Sequence, residues 1–154
     1  MKLRIPYFKV APKAVEAMRG LQAYVDGSGL EPSLMELIKT RASQINGCAY
    51  CVDMHTRDAR KAGESEARLY AVAVWRESPF FSARERAALA WCEAVTLVSE
   101  THVPDEVFAE ASAQFSEKEL VDLTFAIVAI NGWNRIAVSF RQQPAMPARE
   151  AAAQ

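Results

Sequence analysis

Two cysteines three positions apart, Cys48 and Cys51, and a histidine four positions further on, His55, are the residues whose types and spacing suit chemistry. If a helix starts at Cys48, its first N–H groups have no intrahelical acceptor, and their partial positive charge favours a thiolate over a thiol. The spacing of four then places His55 on the helical face of Cys51, so a base stands beside a thiol. Glu36, on the preceding helix, can orient that histidine, hold the proton it takes or pass it on, which completes a nucleophile, base and orienter trio. A thiolate activated in this way is oxidised by a peroxide to a sulfenic acid. Condensation with Cys48 then gives a disulfide that a dithiol reductant must reset.

The same residues fit plainer roles. A CxxC also serves as two buried structural thiols, as half of a zinc site or as a thioredoxin-type motif. A thioredoxin fold needs strands around the motif. A structural zinc site needs four ligands where Cys48, Cys51 and His55 supply three, although three can form an open metal site. Ser33-Leu-Met-Glu36 also matches a capping box, but Pro32 suits the first position of the helix, which places Glu36 inside it. Cys92 sits in an apolar helical stripe and is expected to pack as a small hydrophobe. His102 is expected near a helix end, and Trp75, Trp91 and Trp133 in the core or at a subunit interface.

The elements that must position these residues are helical. β-branched and aromatic residues form no alternating runs bounded by turn signals, so the chain reads as all-α, a single-domain bundle of about six to seven helices. After an extended stretch ending near Pro12, a helix is expected over 13–25. A second begins at Pro32 and stops at Asn46-Gly47, a third runs from about Cys48 to Lys61, and a fourth from about Glu64 to Trp75. Ser82-Ala-Arg-Glu85 and Ser116-Glu-Lys-Glu119 have the form of capping boxes. They open one helix reaching about Thr101 and a last one reaching Arg141, with a helix from Pro104 between them. The domain is placed at 1–141, with 142–154 as a frayed tail. Asn131-Gly132 inside the last apolar run signals either close helix approach or a kink. Ile130-Asn-Gly-Trp133 also echoes Ile45-Asn-Gly-Cys48, a faint sign of duplication.

Composition excludes other classes. With 154 residues, 51% hydrophobic and 24% charged, the chain can bury a core and is neither disordered nor collagenous. Eighteen basic against nineteen acidic residues leave no basic stripe, so a nucleic-acid partner is not expected. No run of eighteen apolar residues and no signal-peptide pattern is present. The expectation is a cytoplasmic protein without a membrane partner.

Glu36, followed by Gln44-Ile-Asn-Gly-Cys48-x-x-Cys51-x-x-x-His55, resembles the carboxymuconolactone decarboxylase and alkylhydroperoxidase D-like superfamily, in its CxxC-bearing peroxidase branch. The resemblance is specific over about thirty residues, and the all-helical reading extends it to most of the chain. It implies that Cys51 is the peroxidatic cysteine and Cys48 the resolving one, with His55 and Glu36 in a proton relay. Peroxidases of this family carry a second histidine directly before the peroxidatic cysteine; here that position is Tyr50. The resemblance further implies a homo-oligomer (trimer or hexamer), a small hydroperoxide substrate and no bound cofactor. Reduction would come from an external dithiol such as a lipoyl group on a partner protein. Two other functions remain open: a redox-responsive switch or assembly protein using the same disulfide, and a carboxymuconolactone decarboxylase-type enzyme, whose chemistry needs no dithiol.

Overall fold

A computed structural model describes residues 2–145. Among them lie nine α-helices, one 3-10 turn and no strand. The first two helices are α1 (Tyr7–Val10) and α2 (Pro12–Asp26). Next come α3 (Pro32–Ile45), α4 (Ala49–Lys61) and α5 (Glu66–Ala71), the last continuing into a 3-10 turn at Val72–Val74. The remainder is α6 (Ala83–Thr96), α7 (Val98–Thr101), α8 (Asp105–Ser112) and α9 (Glu117–Phe140).

Helix α3 is the centre. It packs on α4, α6 and α9, and its Leu34, Leu37, Ile38 and Ala42 are almost wholly withdrawn from water. Each of the leucine and isoleucine side chains contributes ~1.5–3 kcal/mol. Facing them are Leu89 and Cys92 of α6 and Leu123, Ile127 and Ile130 of α9. Both predicted capping boxes form: Ser82 and Ser116 accept from the N–H groups of Glu85 and Glu119, whose carboxylates reach back to the cap N–H groups. By length and composition α9 could cross a membrane, with a mean hydropathy of 1.2 over eighteen residues. Here it is a core helix packed on α2, α3 and α6.

The count of nine α-helices exceeds the expected six to seven because one predicted helix is divided in two and an unpredicted turn, α1, is present. The stretch ahead of Pro12 is not simply extended. Tyr7–Val10 forms one helical turn, held by stacking of Tyr7 on Phe140 with ring centroids 5.4 Å apart and by a hydrogen bond from Arg4 N–H to Phe140 O of 2.9 Å. The helix expected from Glu64 begins only at Glu66, since Ser65 takes the cap, and it tightens at Val72. The helix expected to reach Thr101 ends at Thr96. The Thr101 hydroxyl donates to Ala94 O at 2.8 Å, occupying a carbonyl of its last turn, and α7 resumes one residue later. At Asn131-Gly132 the cause is close approach: a Cβ on Gly132 would lie 2.8 Å from Met18 Cε of α2, and α9 runs on without interruption. Of the expected frayed tail, 146–154 lie outside the described residues.

Candidate active site

The turn between α3 and α4 is built to present Cys48. Gly47 has φ +65°, a left-handed conformation that costs other L-residues ~1–2 kcal/mol. It ends α3, and the Cys48 N–H returns to Ser43 O at 2.9 Å. Asn46 fastens this turn to α9: its Nδ2 donates to Asn131 Oδ1 (3.0 Å) and Asn134 Oδ1 (2.9 Å), while Asn134 Nδ2 donates to Ser43 Oγ (3.0 Å). The two Asn-Gly pairs that echo each other in sequence thus meet in space through their asparagines. They are not conformational equivalents, because only Gly47 ends a helix.

Cys48 is the N-cap of α4, and its Sγ accepts the Cys51 N–H at 3.3 Å. The two cysteines form a disulfide, with Cα atoms 5.4 Å apart, and both are 1% exposed. From Cys51, one side of α4 is buried at every fourth residue, through His55 to Ala59. Glu36 of α3 lies against this stripe. His55 Nδ1 donates to the Glu36 carboxylate at Oε2 (2.9 Å), so in the neutral imidazole the nitrogen left to accept a proton is Nε2. Lys39 Nζ donates to Glu36 Oε1 at 3.0 Å. Burial raises the Glu36 carboxyl, but the hydrogen bond from His55 and the charges and hydrogen bonding of Lys39 and His55 outweigh it. The carboxyl is held below the ordinary range. No group of three or more His, Cys, Asp or Glu side chains among the described residues is placed to hold a metal ion.

Cys51 and His55 line a cavity of about 450 Å³. Its walls come from four places that only the fold unites: α1 (Tyr7, Phe8), α2 (Val15, Arg19, Gln22), α4 (Tyr50, Met54), and α9 with the residues just after it (Ile130, Trp133, Ala137, Gln142). Tyr50, at the position where the resembling peroxidases have histidine, is therefore a wall residue. Glu36 opens elsewhere, onto a recess of about 140 Å³ that it shares with Ser33, Ala59, Ala62, Gly63 and Glu64. The His55–Glu36 hydrogen bond consequently joins the wall of one cavity to that of another.

All four residues singled out from the sequence, Cys48, Cys51, His55 and Glu36, converge here. Cys92 does not: it is fully buried on α6, its Sγ donates to Ile38 O at 3.5 Å, and burial pushes its thiol up to about 12. His102 lies outside the site, at the left-handed residue closing α7. Trp75 and Trp91 are in the core, whereas Trp133 lines the cavity. Lys39, Tyr7, Phe8 and Arg19 escaped the sequence reading. The adjacent aromatics Tyr7-Phe8 ahead of Pro12 were the available signal for the first wall.

An all-helical bundle with a CxxC opening a helix buried along one side, and a Glu–His pair behind the second cysteine, has an alkylhydroperoxidase D-like fold. Comparison with known proteins agrees: residues 11–94 match the carboxymuconolactone decarboxylase family, and the chain belongs to it. The chain is 41% identical over 145 residues to the uncharacterized protein YdfG of Bacillus subtilis (strain 168), covering 94% of this chain and 99% of that one. With the crystal structure of ATU0492 from Agrobacterium tumefaciens the TM-score is 0.92 at 51% identity, over 94% and 99% of the two chains. That protein is described as of unknown function and, provisionally, as the antioxidant defence protein AhpD. The debrominase Bmp8 superposes with a TM-score of 0.80 at 25% identity, over 89% of this chain and 74% of its own.

Proposed function

We propose that the protein is a thiol peroxidase of the alkyl hydroperoxide reductase type. The observation that carries this reading is the placement of Cys51 and His55 on one cavity wall, with Cys48 within disulfide distance behind. In the reduced protein the first-turn N–H groups of α4 favour the Cys51 thiolate. Its sulfur attacks a hydroperoxide oxygen, the O–O bond breaks, and the alcohol leaves with a proton delivered through His55. Glu36 fixes the histidine tautomer and balances the imidazolium that forms when His55 takes up a proton. Cys51 is now a sulfenic acid. The Cys48 thiol attacks its sulfur, water departs, and the disulfide forms. An external dithiol, of which a lipoyl group on a partner protein is the expected kind, reduces the disulfide by two thiol exchanges and is itself oxidised. No resident cofactor enters this cycle.

Association of several copies accompanies the reading. Val121, Phe125 and Val128 on α9 and Phe108 on α8 form an exposed apolar strip, of the kind buried in oligomers. That strip also favours the second reading, in which the disulfide switches an assembly without turnover. Consumption of an organic hydroperoxide by the reduced protein with a lipoyl reductant, lost in Cys51→Ser, is the deciding experiment. Altered association without peroxide consumption would assign the switch instead.

A further inference from the structure

The cavity beside Cys51 is far larger than hydrogen peroxide requires. Hydrogen peroxide occupies roughly the space of two waters, about 60 Å³ at ~30 Å³ each. The cavity is about 450 Å³, within the range that holds an organic molecule of drug size. Its walls grade in polarity. Phe8, Val15, Met54, Ile130 and Trp133 make the body apolar, and Cys51 and His55 lie on its buried side.

Arg19 supplies a positive charge at the exposed side. It projects from α2, is exposed, and makes no hydrogen bond or ion pair among the described residues. Arg41, Arg68, Arg76 and Arg84, by contrast, are all tied to carboxylates. Gln22, its neighbour on the rim, donates to Asp26 at 2.8 Å, and Glu16, three residues before Arg19 on α2, makes no ion pair with it among the described residues. A second polar group lining the cavity is also unspent: Gln142 Oε1 is buried and has no hydrogen-bond partner. A buried acceptor of this kind carries a desolvation penalty until a donor reaches it.

Building on the peroxidase reading, we propose that the substrate is a hydroperoxide of a fatty or aryl acid. Its apolar body lies against Phe8, Met54 and Trp133. The carboxylate pairs with the Arg19 guanidinium at the mouth, a geometry that suits the planar, forked donor set of arginine. The peroxy group is then at the buried end beside Cys51, and Gln142 Oε1 remains as an acceptor for a donor elsewhere in the cavity. Arg19 thus sets specificity and takes no part in the redox step.

The test compares kcat/KM for linoleic acid hydroperoxide and for its methyl ester, both below their aggregation limits, in the full-length protein and in Arg19→Gln and Arg19→Lys. The expected result is a preference for the acid of about tenfold, falling to about one in Arg19→Gln and largely kept in Arg19→Lys. The preference should also shrink as salt is raised, because the pair is exposed. Equal use of acid and ester, or a preference that survives Arg19→Gln, overturns the proposal. A separate arm measures calorimetric binding of dodecanoate and methyl dodecanoate, which needs no turnover. Binding of the acid that is about tenfold weaker in Arg19→Gln supports the carboxylate site even if no hydroperoxide is reduced, which would defeat only the peroxidase reading. No difference between acid and ester in binding overturns the carboxylate site.

Discussion

Replacing Glu36 by Gln tests whether the carboxylate acts through its charge. The substitution keeps the side-chain volume and an oxygen that can accept from His55 Nδ1, but it removes the charge and turns the second oxygen, which accepts from Lys39, into an amide donor. In the native protein the carboxylate accepts from His55 at 2.9 Å and from Lys39 at 3.0 Å, with its side chain 18% exposed. Charge-assisted hydrogen bonds contribute ~1.5–3 kcal/mol and neutral ones ~0.5–1.5, so the His55 contact loses about 1 kcal/mol and the Lys39 contact, left without an acceptor, about 2 kcal/mol. The sum, about 3 kcal/mol, lowers Tm by about 6–12 °C in a chain of this size. The sign of the pH dependence follows from the depressed carboxyl. A group whose pKa is lower folded than unfolded contributes stability that is fully present above its unfolded value, and it is lost as pH falls through the folded one. Urea melts should therefore separate wild type from Glu36→Gln at pH 7, and the gap should close progressively as the pH is lowered beneath the usual glutamate range, ~4.3. The same substitution should slow formation of the Cys48–Cys51 disulfide by organic hydroperoxide about 100-fold, the lower end of general acid–base effects. A gap of equal size at both pH values, or an unchanged rate of disulfide formation, would refute the assignment of a charged Glu36 to His55.

Other consequences are checked more simply. Cys48→Ser should still let one equivalent of hydroperoxide oxidise Cys51, leaving a sulfenic acid that a dimedone-type reagent traps and mass spectrometry locates; no adduct would mean that Cys51 is not the attacking sulfur. Gly47→Ala should cost about 1 kcal/mol through its left-handed φ, whereas Gly47→Asn should cost less, as read from urea midpoints. Asn134→Ala removes hydrogen bonds to Asn46 and Ser43 inside the core and should cost about 2–4 kcal/mol, more than typical surface changes. Cys92, with its thiol pushed up to about 12, should resist iodoacetamide in the folded reduced protein and react after unfolding in urea.

Much of this architecture is local in origin, and local causes are legible in a sequence. The capping boxes at Ser82 and Ser116, Pro32 at the first position of α3 and Gly47 at its end each act within one turn. The spacing of Cys51 and His55 needs only the helical period. Even the choice between two roles for Glu36 was settled by a neighbour, since Pro32 occupies the first position and removes the capping role. Where the sequence misled, a contact from far along the chain decided. Tyr7–Val10 coils because Phe140 and the end of α9 receive it, and α6 stops at Thr96 where the Thr101 hydroxyl takes a carbonyl of its last turn.

The sequence by itself determined the helical class, the dithiol and its histidine, because these follow from side-chain type and periodicity. Tertiary structure decided what surrounds them. The asparagine link from α3 to α9, the hydrogen bond between Glu36 of α3 and His55 of α4 and the cavity walls join residues as far apart as Tyr7 and Gln142. Such pairings depend on how helices cross, which is set by the packing of the whole core and leaves no periodic trace in any one segment.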